Sequence, residues 1–474
     1  MSQSIVIQVG QCGNQIGCRF WDLVLREHAA FNKKGTYDEA LSSFFRNVDA
    51  RGDEHCAEDV IGGRNSKICY LKARAVLVDM EEGVVNHLVQ SPLGEIFDQK
   101  CTITDMSGSG NNWAVGHEVY GPRHREEILQ KVRASVELCN SLQCFFLIHS
   151  MGGGTGAGLG TYILGLLEEN FPLIYRFVIA VYPSADDDVV TSPYNSVLAM
   201  RELTEHAHCV IPVENQALVD IVNEVGRAAG TGSRQSVVTE SQGCLLTNPK
   251  AFDTMNNIVA NLLLNLTSSA RFEGSLNVDL SEITMNMVPF PRLHYLVSSM
   301  APLYALADVN MPPRRLDQMF LDAFSKENQL IQADPKHGLY LACALMVRGN
   351  VQVSDIRRNI ERLKSSLHFI TWNQEGWKTG LCSVAPVGQP HMLLTLANNT
   401  CVTHTFSGIR EHFNRLYKRK VMAHLHHYTE VTGMDLGCFS EALSSLTSVI
   451  DEYGHLEGTG SHLARSVPRM RIAV

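Results

Sequence analysis

Residues Gly152 to Gly158 read GGGTGAG, with glycine at five of seven positions. The run follows QCFFLIHS (Gln143 to Ser150), which reads as a buried strand, and precedes the helical pattern GTYILGLLEEN. Without Cβ atoms the backbone N–H groups can turn inward together, and the helix beyond adds the positive end of its dipole. A strand–glycine–helix junction of this kind is a cradle for a polyphosphate, with the Thr155 hydroxyl as a further donor. It is not a Walker A loop, because GxxxxGK[ST] and its lysine are missing, and it contains no GxGxxG. The plainer reading is a glycine-rich turn that packs a helix close to a strand.

The same design opens the chain. SIVIQVG (Ser4 to Gly10) reads as a buried strand that runs into QCGNQIGCRFWDLVLREH, where Ile16, Phe20, Leu23 and Val24 recur at helical spacing. ARAVLVDME (Ala73 to Glu81), RFVIAVYPS (Arg176 to Ser184) and HCVIPV (His208 to Val213) read as further strands, with helical patterns such as HREEILQKVRASVELCNSL between them. Strands alternating with helices predict an α/β fold with a parallel sheet covered on both faces. On such a sheet GQCGNQ (Gly10 to Gln15) and the glycine run converge at the C-terminal edge of the strands, where α/β proteins bind ligands. A third loop, GSGNNWA (Gly108 to Ala114), offers more backbone donors and the Asn111 amide. Together the three loops point to a nucleotide.

Beyond them, Gly35 to Lys72 is loop-rich, and ENQALVDIVNEV (Glu214 to Val225) fits a helix through Leu218, Ile221, Val222 and Val225. RAAGTGSRQSVVTESQGCLLTNP reads as an exposed loop or insertion. PRLHYLVSSMAPL, YLACALMVRG and APVGQPHMLLTLAN predict the strands of a second, α+β unit. GIREHFNRLYKRKVMAHLHHY and CFSEALSSLTSVIDEYGHL predict closing helices, and GTGSHLARSVPRMRIAV reads as unstructured. The expected division is 1–213, 214–401 and 402–474.

Composition narrows the class. The 474 residues are 45% apolar and 19% charged, which is globular and ample for a buried core. Lys and Arg number 40 against 49 Asp and Glu, a net charge of −9, and there is no dense basic run, so a nucleic-acid binder is not expected. The 13 cysteines include no CxxC pair, which excludes zinc-ribbon and thioredoxin spacings. The histidines His424, His426 and His427 have no metal-ligand spacing and are expected on a helix face. MSQSIVIQVGQ carries no secretory pattern, and no apolar run approaches a membrane span, so a cytoplasmic chain with free thiols is expected.

At this point the motifs resemble one family. GQCGNQIG, GSGNNWAVGH (Gly108 to His117), HSMGGGTGAGLGT (His149 to Thr161), NVDLSEITMNMVPFPRLHYL (Asn277 to Leu296), DPKHGLYL (Asp334 to Leu341), YKRK (Tyr417 to Lys420) and HHYTEVTGMD (His426 to Asp435) look like the tubulins. The likeness keeps its order over nearly the whole chain. Bacterial division GTPases share the glycine loop but not the later matches.

The resemblance implies an N-terminal GTPase domain, a core helix, an intermediate domain and a C-terminal helical hairpin. It implies GTP or GDP with Mg2+ as cofactors. Carried over, Gln11, Cys12 and Gln15 border the phosphates and the base. Gly110, Asn111, Ser150, Gly152, Gly153, Gly154, Thr155, Gly156, Ala157 and Gly158 hold the phosphates. Asp79 and Glu81 sit near the magnesium through water, which suits a hard cation; read without the family they are two carboxylates ending a strand. Asp188 falls near the ribose, although the glutamate common in that loop aligns near Thr191 or Ser192. Asn215 and Asn256 read the guanine edge. Phe252 stands where the family stacks a tyrosine on the base; its plainer reading is a core aromatic.

Glu282 carries the resemblance into mechanism. In the family this loop touches the nucleotide of the next subunit, with a glutamate in α-tubulin and a lysine in β-tubulin. Glu282, with Asp279 nearby, therefore resembles a general base acting in trans. The alternative from another class is a structural module that holds GTP without hydrolysing it.

Three features depart from α- and β-tubulin. The polar stretch between Arg227 and Pro249 is foreign to both. The segment Ala301 to Phe320 is shorter than the lateral-contact loop of β-tubulin. From His455 there is one acidic residue, Glu457, against Arg465, Arg469 and Arg471, in place of an acidic tail. These departures resemble a divergent branch of the family that works in the cytoplasm at the centrosome, in centrioles and basal bodies, with δ-tubulin, in triplet microtubules. The partners so implied are δ-tubulin, α- and β-tubulin through longitudinal contacts, and centriolar proteins, with no nucleic acid and no membrane.

Overall fold

A computed structural model describes residues 2–48, 66–184, 189–228, 252–303, 315–417 and 422–464. Its centre is a six-stranded parallel sheet of β1 (Gln3–Val9), β2 (Ala75–Asp79), β3 (Thr102–Thr104), β4 (Leu142–Ser150), β5 (Tyr175–Tyr182) and β6 (Cys209–Glu214), in the order β6-β5-β4-β1-β2-β3. The chain moves from β1 to β2 on one side and from β4 to β5 on the other, so the order reverses between β1 and β4. That reversal opens a crevice beyond the C-terminal ends of the two strands.

The strands are apolar on both faces because both are covered. Ile5, Ile7 and Val9 face a layer that includes α3 (Gly121–Glu137), α4 (Gly160–Asn170), α5 (Ser192–His206) and, at the far end of the chain, α11 (Val402–Tyr417) and α12 (Leu436–Ala464). Val6, Cys144, Phe146 and Ile148 face the other layer, which includes α1 (Gly10–Phe31), α6 (Asn215–Ala228), α7 (Asp253–Leu266) and α8 (Leu280–Met287). The helix α2 (Glu82–Gln90) lies beside β2, and its Leu88 joins this second layer.

The predicted second unit is a four-stranded mixed sheet of β7 (Val297–Ala301), β8 (Tyr340–Gly349), β9 (Trp377–Cys382) and β10 (His391–Asn399), in the order β7-β10-β8-β9. Alternation in β8 sends Ala342, Ala344 and Met346 toward α7, while Cys343, Leu345 and Val347 meet α9 (Leu316–Ala323) and α10 (Val353–Lys364). The helix α7 thus lies between the two sheets. A buried ion cluster just past its C-terminal end ties it to α1 and β8: Glu27 accepts from Arg271 at 2.8 Å and is ion-paired with Arg348 at 2.9 Å. Among the described residues no helix is long and apolar enough to cross a membrane.

Two expectations need correction. The pattern Gly408 to Tyr428 is not one helix: α11 ends at Tyr417, and Met422 and His424 take positive φ values of 44° and 63° before a one-turn helix, His426–Thr429. His424 therefore lies in a turn, not on a helix face. The stretch after Gly458 is not wholly irregular, because α12 continues to Ala464. The YKRK lysines and arginine, Asp188, most of the 227–249 insertion, residues 304–314 of the short loop and the last ten residues lie outside the described residues.

Candidate functional site

The first glycine turn sits where β1 becomes α1. Gly10 has φ +72°, and a Cβ there would lie 3.2 Å from the Gly156 nitrogen, so the two glycine turns touch across the crevice. Glycine is required on both counts. The Asn14 amide anchors the turn from below, donating to Gly10 O at 3.0 Å and to Val78 O at 3.2 Å. Gln11 is exposed; Cys12 and Gln15 are half-buried along the same face of α1. Burial pushes the Cys12 thiol up to about 12.

The second turn follows β4. Residues Thr155 to Leu159 form a wide π-type turn before α4, without a side-chain cap, and Gly158 N donates to Gly154 O at 2.7 Å. A Cβ on Gly154 would lie 2.4 Å from Ser109 Oγ and 2.6 Å from Asn112 N. The third loop is therefore packed against the second with no room for a side chain. Ser109 and Thr155 hydroxyls meet at 2.9 Å, and Ser150 Oγ lies 2.8 Å from where a Gly156 Cβ would be. Gly110 and Asn111 are consecutive left-handed residues, with φ +56° and +54°. For asparagine that conformation is uncommon and needs support from its surroundings.

The carboxylates close the crevice at β2. Asp79 is 3% exposed, and its Oδ1 accepts from Glu81 N at 3.2 Å. Its Oδ2 is buried with no hydrogen-bond partner among the described residues. Burial, with the nearby Glu81 charge, raises the Asp79 carboxyl to about 6 against the pull of the Glu81 and Met80 N–H groups. Glu81 is exposed and its Oε1 lies 2.3 Å from where a Gly108 Cβ would be, so it borders the third loop. A buried carboxylate oxygen without a partner, beside glycine-walled donors, fits a hydrated hard cation carried by phosphates.

At the other end of the crevice, Asn256 Nδ2 donates to Gln15 Oε1 at 3.4 Å, joining α7 to α1. Phe252 precedes α7 and is 54% exposed, so it is not a core aromatic. Asn215 opens α6, which packs along α7.

Glu282 is elsewhere. It lies on α8, where the neighbouring Ser281 accepts from Gln143 at 3.3 Å and Thr284 lies 3.6 Å from the Cys209 sulfur. Gln143 is the second residue of β4, and Cys209 begins β6. From Gln143 to the phosphate end at Ser150 the strand runs about 23 Å, at roughly 3.3 Å per residue. Glu282 is ion-paired with Lys378 of β9. Asp279 precedes the helix, exposed, without capping it.

One residue of the site was missed by sequence reasoning. Asn195 of α5 is fully buried, and its amide reaches both phosphate loops: Nδ2 donates to Asn111 O and to Gly152 O, each at 2.8 Å. Its signal was a lone asparagine after the Pro-Tyr pair, in a helix otherwise buried on nearly every side.

Comparison with known proteins agrees with this architecture. Residues 3–223 match the GTPase domain of the Tubulin/FtsZ family, and residues 291–411 match the tubulin C-terminal domain. The chain is 64% identical to the tubulin epsilon chains of Homo sapiens and of Mus musculus, over all of this chain and all of theirs. It is 35% identical to the tubulin beta-2 chain of Suillus bovinus, over 96% of each. With a nucleotide-type crevice at the sheet's reversal point and this likeness along its whole length, the chain belongs to the tubulin family and carries that family's GTP-binding domain.

Proposed function

We propose that this GTP-binding tubulin works in the ε role, in centriole and basal-body microtubules, as a subunit whose GTPase site is completed by a neighbour. Residues 1–213 are the GTP-binding domain, 214–401 carry the core helix, the insertion and the intermediate domain, and 402–474 are the C-terminal helical domain with a short non-acidic tail. The partners are δ-tubulin, α- and β-tubulin in microtubule walls, and centriolar proteins. The location, by the ε likeness, is the cytoplasm and centrosome.

The observation that carries the reading is the separation of two half-sites. The glycine turns lie at the C-terminal edge of the sheet and Glu282 at its N-terminal edge, about 23 Å away along β4. A carboxylate there cannot serve the chain's own phosphates, but head-to-tail stacking sets it against the next subunit's crevice.

In that arrangement Gly10, Gln11, Cys12, the Gly110–Asn111 turn, Ser150 and Gly152–Gly158 hold the phosphates. Asn215, Phe252, Asn256 and Gln15 hold the base, and Asp188 the ribose. Asp79 and Glu81 hold Mg2+ through water, and the ion supplies charge neutralisation at the phosphates. Glu282, with Asp279 beside it, orients a water and takes its proton on the neighbour's nucleotide.

A second reading is a structural module that keeps GTP unhydrolysed. The Glu282–Lys378 ion pair favours it for the isolated subunit, because the carboxylate is already engaged by an ammonium of its own chain. The test is to purify the protein gently, denature it and identify the released nucleotide by chromatography. GTP alone marks an isolated subunit with a retained nucleotide. GDP marks a site completed by another subunit. An empty protein overturns the assignment of the phosphate loops.

A further inference from the structure

The Asn195 amide uses all four of its hydrogen-bonding positions. Its Nδ2 holds Asn111 O and Gly152 O at 2.8 Å; its Oδ1 accepts from Trp113 N at 2.9 Å and from the Tyr428 hydroxyl at 2.6 Å. Two carbonyls on one side and an N–H on the other fix the orientation of the amide. Tyr428 belongs to a distant part of the chain, the segment between α11 and α12. Its ring is fully buried, edge-on to Tyr194 at 5.7 Å and to Phe439 at 5.5 Å.

Two further hydrogen bonds run the same way. Tyr194 OH donates to Ala423 O at 3.1 Å, and Asn112 Nδ2 donates to His427 O at 2.9 Å. On its outer side this segment presents Met422, His424, His426 and His427 to solvent. Both ends of the linkage store backbone strain: Asn111 on the phosphate side, with φ +54°, and Met422 and His424 on the outer side, with φ +44° and +63°. Non-glycine residues stay in such conformations only while neighbouring bonds hold them there.

We propose that Asn195 and Tyr428 couple the phosphate loops to the outer segment Met422–Met434, so that a nucleoside triphosphate in the crevice tightens that segment. This rests on the reading of the glycine loops as a nucleotide site. Asn195 is a positioning residue: it fixes Asn111 and Gly152, whose backbones wall the crevice, and passes their state to Tyr428. By reciprocity, anything that seats on the outer segment and prefers its ordered form raises affinity for the nucleotide by the same factor.

The test follows hydrogen–deuterium exchange in the full-length protein, first stripped of nucleotide and then loaded with GTP and Mg2+. GTP should slow exchange in both 108–114 and 422–434, by about 5–10-fold in the outer segment. Tyr428→Phe keeps the ring packing and removes one hydroxyl. It should reduce the response of 422–434 and leave that of 108–114. Tyr194→Phe combined with Tyr428→Phe should reduce the outer response further, to what the Asn112–His427 bond alone carries, with the loop response again retained. If wild-type GTP loading slows 108–114 but not 422–434, the coupling is wrong while the nucleotide site stands. If the double variant responds like wild type in both segments, these hydroxyls do not carry it. If GTP slows neither segment, the nucleotide assignment falls, and the coupling with it.

Discussion

The two edges of the central sheet are built from different materials. At the C-terminal edge the working surface is mostly backbone: Gly10 against Gly156 and Gly154 against Asn112, beside a buried Asp79 side-chain oxygen that has no partner among the described residues. At the N-terminal edge it is charged side chains: Glu282 with Lys378 on α8 and β9, and Arg176, Glu168 and His206 where β5 begins and α5 ends. Backbone donors in a glycine cradle suit a polyanion, while paired side chains suit a surface that meets another protein. If Glu282 is the base proposed above, a heterologous head-to-tail contact is the arrangement that brings it to a cradle.

The comparison breaks most directly at Glu282. Glu282→Ala should leave retained nucleotide unchanged and lower GTP turnover in assemblies by about 10²–10⁴-fold, the range for a general base. Turnover equal to wild type in co-assembled protein would end its assignment as the base. The mirror experiment is Gly154→Ala. Its Cβ would meet Asn112 N at 2.6 Å, so the two loops must part. At about 1–3 kcal/mol for such overpacking, GTP affinity should fall on the order of 10–100-fold. Normal affinity in a titration of the stripped protein would show that the cradle is not where the phosphates sit.

The two edges were unequally legible in the sequence. Glycine spacing announced the C-terminal edge, and β1, β2, β4, β5 and β6 stood out as β-branched runs because both their faces are buried. β3 escaped because Thr102–Thr104 is only three residues long. β9, WKTGLC, escaped because its alternation is weak. The helix α5 carries no 3.6-residue period, since Tyr194 through Leu203 is buried almost continuously, and Asn195 was hidden with it. The helical reading of residues 408–428 ran too far because its apolar spacing survives the turn at Met422–His424, which only the backbone reveals. The role proposed for Glu282 rests on family resemblance, since a half-exposed glutamate on a short helix has no pattern of its own.

A smaller effect should sharpen the C-terminal edge. Asp79→Asn removes a buried charge whose carboxyl is already raised to about 6 by burial. The amide oxygen can still accept from Glu81 N. The stripped variant should gain about 2 kcal/mol at neutral pH, read from its denaturant midpoint. The same variant should lose most of the Mg2+ dependence of GTP retention. A less stable variant with full magnesium dependence would remove Asp79 from the cation's surroundings.

The N-terminal edge should reveal itself through pH. Hydrogen bonding to Glu202, opposed by burial and aided by Glu168, raises His206 to about 9. Burial alone would raise Glu202, but the His206 hydrogen bond and the His117 and Arg201 charges hold it at about 2. A histidine raised by its partners favours the folded state wherever it is protonated there. That contribution is complete below the unfolded value near 6.5 and is lost as pH climbs through about 9. With the ring about one-quarter exposed, the loss should be about 1–3 kcal/mol between those limits. His206→Gln should flatten that part of the stability profile and lower the neutral-pH value by a similar amount. GTP retention should stay level across the same window, because at the cradle Asp79 titrates below it, at about 6, and Cys12 above it, at about 12. A stability profile that His206→Gln leaves unchanged would show the His206 cluster to be solvated decoration. A GTP affinity that falls in parallel with stability would show that the two edges are not chemically separate.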